Sequence, residues 1–300
     1  MPELPEAETI ARELHRRIAG LRVEEVVADR EDIVRTGAAS LRALHGRRVA
    51  SVGRQAKRVV VRLEPDAELV FQLGMTGRIT VNPIEQASES HTHLRIRFQH
   101  QVDELRFRDP RRFGGVWVFD RTALDEPDGV RSVLAANRNG KTRTLGPIGL
   151  EPLDMTRKRF GLALARNRQI KALLMDQAVI AGLGNIYCDE SLHAAGVHPL
   201  TPSDALDRFA QARLFRAIRS TLRRAIRHNG STLMDYRTPG GEPGDFQRLH
   251  RVYQRDGEPC RTCRTLILRF KIAGRSTFVC PKCQPETPAP RPARGRQKPQ

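Results

Sequence analysis

Between residues 6 and 18, Ile10, Leu14 and Ile18 form one apolar stripe with Ala7 and Ala11 beside it. That three-to-four spacing predicts an amphipathic helix. From about residue 22 the period drops to two. Short runs rich in Val, Ile and Leu, separated by turn residues, predict strands at 22–28, 48–53, 58–63, 68–73, 78–81, 93–98, 104–107 and 115–119. An antiparallel sandwich or barrel behind a leading helix fits that spacing. Helical periodicity returns at 157–165, 171–176, 185–195 and 203–227, with Gly182-Leu183-Gly184 as a tight turn between two helices. Residues 229–259 are rich in Gly, Pro and polar groups. The pattern divides the chain at 1–145, 146–228, 229–283 and 284–300, an α+β organisation. The last segment carries five prolines and four basic residues, a composition that predicts disorder.

Charge changes the picture next. The 300 residues hold 52 Lys and Arg against 34 Asp and Glu, a net charge of +18. Such an excess points to a polyanion, nucleic acid first and an anionic membrane surface second. No apolar run approaches the roughly 20 residues of a membrane span. The start of the chain lacks the basic-then-apolar layout of a secretory signal. Aromatic residues make up 5% of the chain, too few for extensive base stacking.

Four of the five cysteines form two pairs, Cys260/Cys263 and Cys280/Cys283, with 16 residues between the pairs. This spacing supplies four thiolates to one tetrahedral zinc ion and leaves no position for water, so the zinc is structural. Between the pairs, 266–272 and 277–280 read as a β-hairpin with Arg275 at its tip, a rigid basic point suited to phosphate. Cys188 stands apart, as a small buried residue of the 185–195 helix.

The first residues, Met1-Pro2-Glu3-Leu4-Pro5-Glu6, offer distinctive chemistry. Removal of Met1 makes Pro2 a terminal secondary amine, substantially neutral near pH 7 and able to attack an aldehyde-like carbon. Glu3 and Glu6 stand beside it to move protons. The same six residues also make an ordinary helix start, with Pro5 in the first turn and acids at the positive end of the dipole. Elsewhere the alternatives stay paired. Gly182–Asn185 either offers free N–H groups to a phosphate or is capped by Asn185. Arg111, Arg112 and Phe113 form either a wedge into a duplex or a basic turn with its ring in the core, and Met75 has the same two options. Lys57 reads as a solvated charge between strands, and His91 and His93 as phosphate contacts or strand caps.

Taken in order, Pro2-Glu3-Leu4-Pro5-Glu6-Ala7-Glu8-Thr9, Gln55-Ala56-Lys57, Leu73-Gly74-Met75, Asp109-Pro110-Arg111-Arg112-Phe113-Gly114, Gly182-Leu183-Gly184-Asn185-Ile186-Tyr187 and Gly257-Glu258-Pro259-Cys260 resemble the bacterial formamidopyrimidine-DNA glycosylase family. The resemblance spans residues 2 to 283. It implies a helix and β-sandwich, a helix–two-turn–helix domain and a zinc-finger hairpin, closing on double-stranded DNA that contains oxidised bases or abasic sites. It implies a cytoplasmic bacterial enzyme, monomeric, that excises oxidised purines and cleaves the strand by β,δ-elimination. By the same resemblance Pro2 is the nucleophile, Glu3 the proton donor, Glu6 its support, Lys57 a proton carrier and Arg275 a phosphate-binding group. Met75, Arg111 and Phe113 fill the void left by the base. His91, Asn185 and Arg166 hold phosphates, and 232–246 closes over the extruded base. Gln72 departs from the histidine that many members carry before Leu-Gly-Met. An endonuclease VIII-like enzyme for oxidised pyrimidines and a noncatalytic zinc protein that binds DNA are the competing expectations.

Overall fold

The computed structural model describes residues 2–36, 38–120, 134–136, 142–144 and 148–286. Helix α1 (Leu4–Ile18) starts two residues before the 6–18 span expected from the periodicity, with Pro5 in the first turn, where its missing N–H has no helical partner to lose. Strands β1 (Val23–Ala28), β2 (Arg48–Gln55), β3 (Arg58–Glu64), β4 (Ala67–Gln72), β5 (Arg78–Pro83), β6 (Thr92–Phe98), β7 (Asp103–Arg108) and β8 (Gly115–Asp120) follow. They form two antiparallel four-stranded sheets, in the orders β1-β6-β7-β5 and β2-β3-β4-β8. The inner faces meet in one core that includes Val49, Leu69, Phe71, Ile96 and Phe107. Val60, Val70, Trp117 and Phe119 make a second, smaller cluster. That cluster explains why β3 and β4 read as continuous apolar runs rather than clean alternations.

A short pair, β9 (Leu134–Ala136) with β10 (Thr142–Thr144), has no counterpart among the strands expected from the periodicity. The helical half contains α2 (Arg157–Leu164), α3 (Ile170–Met175), α4 (Asn185–Ala195) and α5 (Arg208–Arg227). Helix α5 begins at 208 and not at 203. Asp207 caps it by accepting from the N–H groups of Phe209 and Ala210, and Ser203–Ala205 forms a separate 3-10 turn. Strands β11 (Leu268–Ile272) and β12 (Arg275–Val279) close the described chain as a hairpin. Its turn is Ala273-Gly274, so Arg275 opens β12 opposite Ile272 and flanks the tip. The tail expected at 284–300 falls outside the described residues from 287 on.

Helix α1 joins the two halves. Its stripe of Ile10, Leu14 and Ile18 enters the sandwich core, whereas Leu4 belongs to the helical core with Leu183, Tyr187 and Leu214. Leu4 N–H also donates to the Gly182 carbonyl at 3.1 Å. The N-terminal turn is thereby pinned where the halves meet.

Candidate active site

Pro2 is buried at that junction and lines a cavity of about 240 Å³ with Lys57, Arg58, Gln72, Ile148 and Gln177. Glu3 and Glu6 lie beneath it, 2% and 1% exposed. The Glu3 carboxylate sits on the N-terminus of α4. It accepts from the N–H groups of Gly184 (2.9 Å), Ile186 (3.0 Å) and Tyr187 (3.4 Å). An anion there satisfies donors that have no helical partner and meets the positive end of the helix dipole. The backbone N–H groups of the turn are therefore not free for a phosphate, and Asn185 is not the cap. The N–H groups of Gly184, Ile186 and Tyr187 serve the carboxylate of the α1 N-cap residue, and the residue that caps α4 is Gly184. A Cβ at position 184 would stand 2.4 Å from the Glu3 carboxylate, so only glycine fits.

Glu6 completes the acid pair. Its Oε2 accepts from Glu3 N–H at 2.7 Å, and its Oε1 accepts from Ser231 N–H at 2.7 Å and from the Tyr187 hydroxyl. Burial and the adjacent Glu3 charge raise the Glu6 pKa from 4.5 to about 7. The folded state therefore holds a proton on Glu6 that the unfolded chain releases above about pH 4.5. Stability conferred by this group is greatest below that pH. It falls as pH rises through about 7, by up to roughly 3 kcal/mol. A Glu6→Gln variant should lack this slope, which melting temperatures of both proteins between pH 5 and 8 will reveal.

Lys57 hangs from the β2–β3 turn, where Ala56 takes φ +54°. It is half-buried, not solvated as its sequence context suggests. Burial pushes its pKa down, opposed by the charges of Glu3 and Glu6, and the Arg275 charge lowers it further. Arg275 is exposed on β12. The neighbouring Ser276 carbonyl accepts from Asn185 Nδ2 (2.9 Å) and from Lys171 Nζ (3.0 Å), which ties the hairpin to α4. Lys171 is fully buried and pairs with Asp189 at 2.7 Å. Sequence reasoning passed over both residues, because a buried ion pair between two helices leaves no local pattern.

Most of the remaining candidates are exposed. Met75 and Phe113 are 44% and 54% exposed, and the Arg111 guanidinium lies 4.5 Å from the Phe113 ring centre. Both apolar side chains thus stand out from the core, at the cost of wetting them. His91 is exposed with φ +68°, whereas His93 is buried and its Nε2 lies 3.0 Å from the Asp109 carbonyl oxygen, leaving it no phosphate to reach. Arg166 is exposed between α2 and α3.

The Sγ atoms of Cys260, Cys263, Cys280 and Cys283 all lie within 4.8 Å of one another. Tetrahedral zinc with bonds near 2.3 Å needs sulfurs about 3.8 Å apart. The Cys260–Cys283 and Cys263–Cys280 separations are 3.9 and 3.3 Å. The N–H groups of Thr262 and Cys283 point at the sulfurs of Cys260 and Cys280, a pattern that favours thiolates. These residues fit one structural zinc ion.

An acid-lined N-terminal turn in a cleft between a β-sandwich and a helical half, with a four-cysteine hairpin beside it, defines a class of zinc-bearing two-half proteins built around that turn. Family models identify the halves. The formamidopyrimidine-DNA glycosylase N-terminal domain matches residues 1–116, its H2TH domain 148–237, and the zinc finger found in FPG and IleRS 257–285. A formamidopyrimidine-DNA glycosylase of Herpetosiphon aurantiacus is 39% identical, over 95% of this chain and all of its own. The crystal structure of the MutM (Fpg) protein of Thermus thermophilus superposes with a TM-score of 0.79 at 38% identity, covering 96% of this chain and all of that one. Lactococcus lactis Fpg bound to DNA with an abasic site gives 0.80 at 29% identity, covering 95% and 100%. The chain belongs to the formamidopyrimidine-DNA glycosylase family. Among the described residues, no helix is long and apolar enough to cross a membrane.

Proposed function

We propose that this chain is a bifunctional DNA glycosylase and abasic-site lyase of base excision repair, acting on oxidised purines in duplex DNA. It works as a monomer in the bacterial cytoplasm. The observation that carries the reading is the Pro2 cleft, with Glu3 seated on the α4 N-terminus and Glu6 beside it. With Met1 removed, Pro2 nitrogen attacks the sugar C1′ and displaces the damaged base. Glu3 takes up the proton that the Pro2 nitrogen sheds on bonding to C1′ and passes it to the sugar ring oxygen as the ring opens, and Glu6 holds Glu3 in place. Lys57, its pKa lowered by burial, carries protons in the β-elimination that follows. Arg275 binds the phosphate that leaves by δ-elimination, and Asn185, His91 and Arg166 grip the strand. Met75, Arg111 and Phe113 fill the gap left by the extruded base. The zinc keeps the hairpin folded. The net charge of +18 supplies sequence-independent attraction to the phosphates. The division at 1–145, 146–228 and 229–283 follows these tasks. Oxidised purines are favoured over pyrimidines because the named relatives are formamidopyrimidine enzymes.

Borohydride reduction during turnover of a duplex containing 8-oxoguanine should trap a covalent protein–DNA adduct. Protein that retains Met1 should yield none, because its proline nitrogen is acylated. Equal trapping by both forms would remove Pro2 as the nucleophile.

A further inference from the structure

Asp109 directly follows β7, and it is fully buried. Its carboxylate joins two loops. Oδ1 accepts from the Thr76 hydroxyl at 2.6 Å, and Oδ2 accepts from Gly114 N–H at 2.8 Å. Thr76 Oγ1 in turn receives Arg111 N–H at 3.3 Å. The loops touch as backbones, because a Cβ on Gly74 would stand 2.6 Å from the Gly114 nitrogen. From the other side, one Arg35 guanidinium donates to the carbonyls of Arg112 (3.2 Å) and Gly114 (2.6 Å), and Arg112 pairs with Asp32 at 2.9 Å. Each clamped loop carries one of the exposed apolar side chains, Met75 on the first and Phe113 on the second.

We infer that Asp109, through Thr76, is a positioning residue that locks the Met75 loop and the Arg111–Phe113 loop into a single preformed wedge. The inference rests on the reading of Met75 and Phe113 as the side chains that fill the vacated stack. A base leaves the duplex only while its gap is occupied, so two side chains on independently moving loops would each have to be ordered during extrusion. Fixing their spacing beforehand removes that ordering entropy from the rate-determining rearrangement. The clamp touches neither Pro2 nor the acid pair. Its loss should therefore slow removal of a stacked base and leave strand cleavage at an already empty sugar unchanged.

Thr76→Val keeps the shape and deletes the hydroxyl. It should slow single-turnover excision of 8-oxoguanine from a duplex by about tenfold or more, since a buried Asp109 oxygen loses its partner. Incision of a single-stranded oligonucleotide with an abasic site should stay within about twofold of the parent protein. Asp109→Asn, which cannot accept both bonds, should show the same split, and Thr76→Ser should restore parental behaviour on both substrates. Equal losses on the two substrates would mark the clamp as merely structural and overturn the inference, as would parental rates on both. Met75→Ala and Phe113→Ala run alongside. If they excise from duplex at the parental rate, the wedge reading itself fails. If they are slow and Thr76→Val is not, only the clamp fails.

Discussion

A Glu3→Gln variant should bind lesion-containing DNA at near-parental affinity yet release the damaged base about 10²- to 10⁴-fold more slowly, the usual range for loss of a general acid. Two effects act together. The amide cannot take up a proton and pass it on. It also fits the α4 N-terminus poorly, because both Glu3 oxygens accept backbone N–H groups there, and an NH₂ group would face a donor. Removing the Glu3 charge also removes one of the causes that raise the Glu6 pKa, so Glu6 should ionise at lower pH in the variant. Single-turnover kinetics with DNA in excess of its dissociation constant measure the first effect. A loss of less than tenfold would take the acid role away from Glu3.

Zinc removal should have the second large effect. Val252, Ile267, Phe278 and the two innermost cysteines form a small core of their own, separate from the other clusters. So small a core cannot fold a hairpin by itself, and metal binding supplies the missing free energy, about 10–16 kcal/mol in zinc-finger peptides. Chelation, or Cys280→Ser, should unfold β11 and β12 and carry Arg275 and the Ser276 carbonyl away from α4. Affinity for lesion DNA should drop by about 100-fold or more, as several phosphate contacts are lost together. The melting transition of the sandwich and helical core should move little. Metal-stripped protein that still bound and cut lesion DNA at the parental level would refute this, and fluorescence anisotropy with a zinc-release assay gives the answer.

The elements that periodicity foretold are those whose faces differ in polarity. Helix α1 and the antiparallel strands show this, since half of each faces a core and half faces water or another layer. The cysteine pairs were equally plain, because a metal demands ligand type and spacing within a short stretch. The site itself was legible only in part. Glu3 and Glu6 announced themselves by type, but the groups that seat Glu3 lie about 180 positions further along. No local rule links an N-capping acid to a distant helix N-terminus, so the sequence of the Gly182–Asn185 turn offers a phosphate cradle or capping by Asn185 and does not point to Glu3. Lys57 is singled out by its Gln55-Ala56-Lys57 motif alone, because a lysine between two strands is commonly solvated and only the tertiary fold half-buries it. Asp109 was visible as part of a turn motif, but its two hydrogen bonds needed the neighbouring loop to be in place.

The seating of Glu3 has an evolutionary consequence. The Glu3 carboxylate comes from the N-terminus of α1 and the N–H groups that orient it from the helical half, with Leu4 sunk into the helical core. Shuffling halves between distant relatives would therefore break a matched lock and key unless both surfaces travelled together.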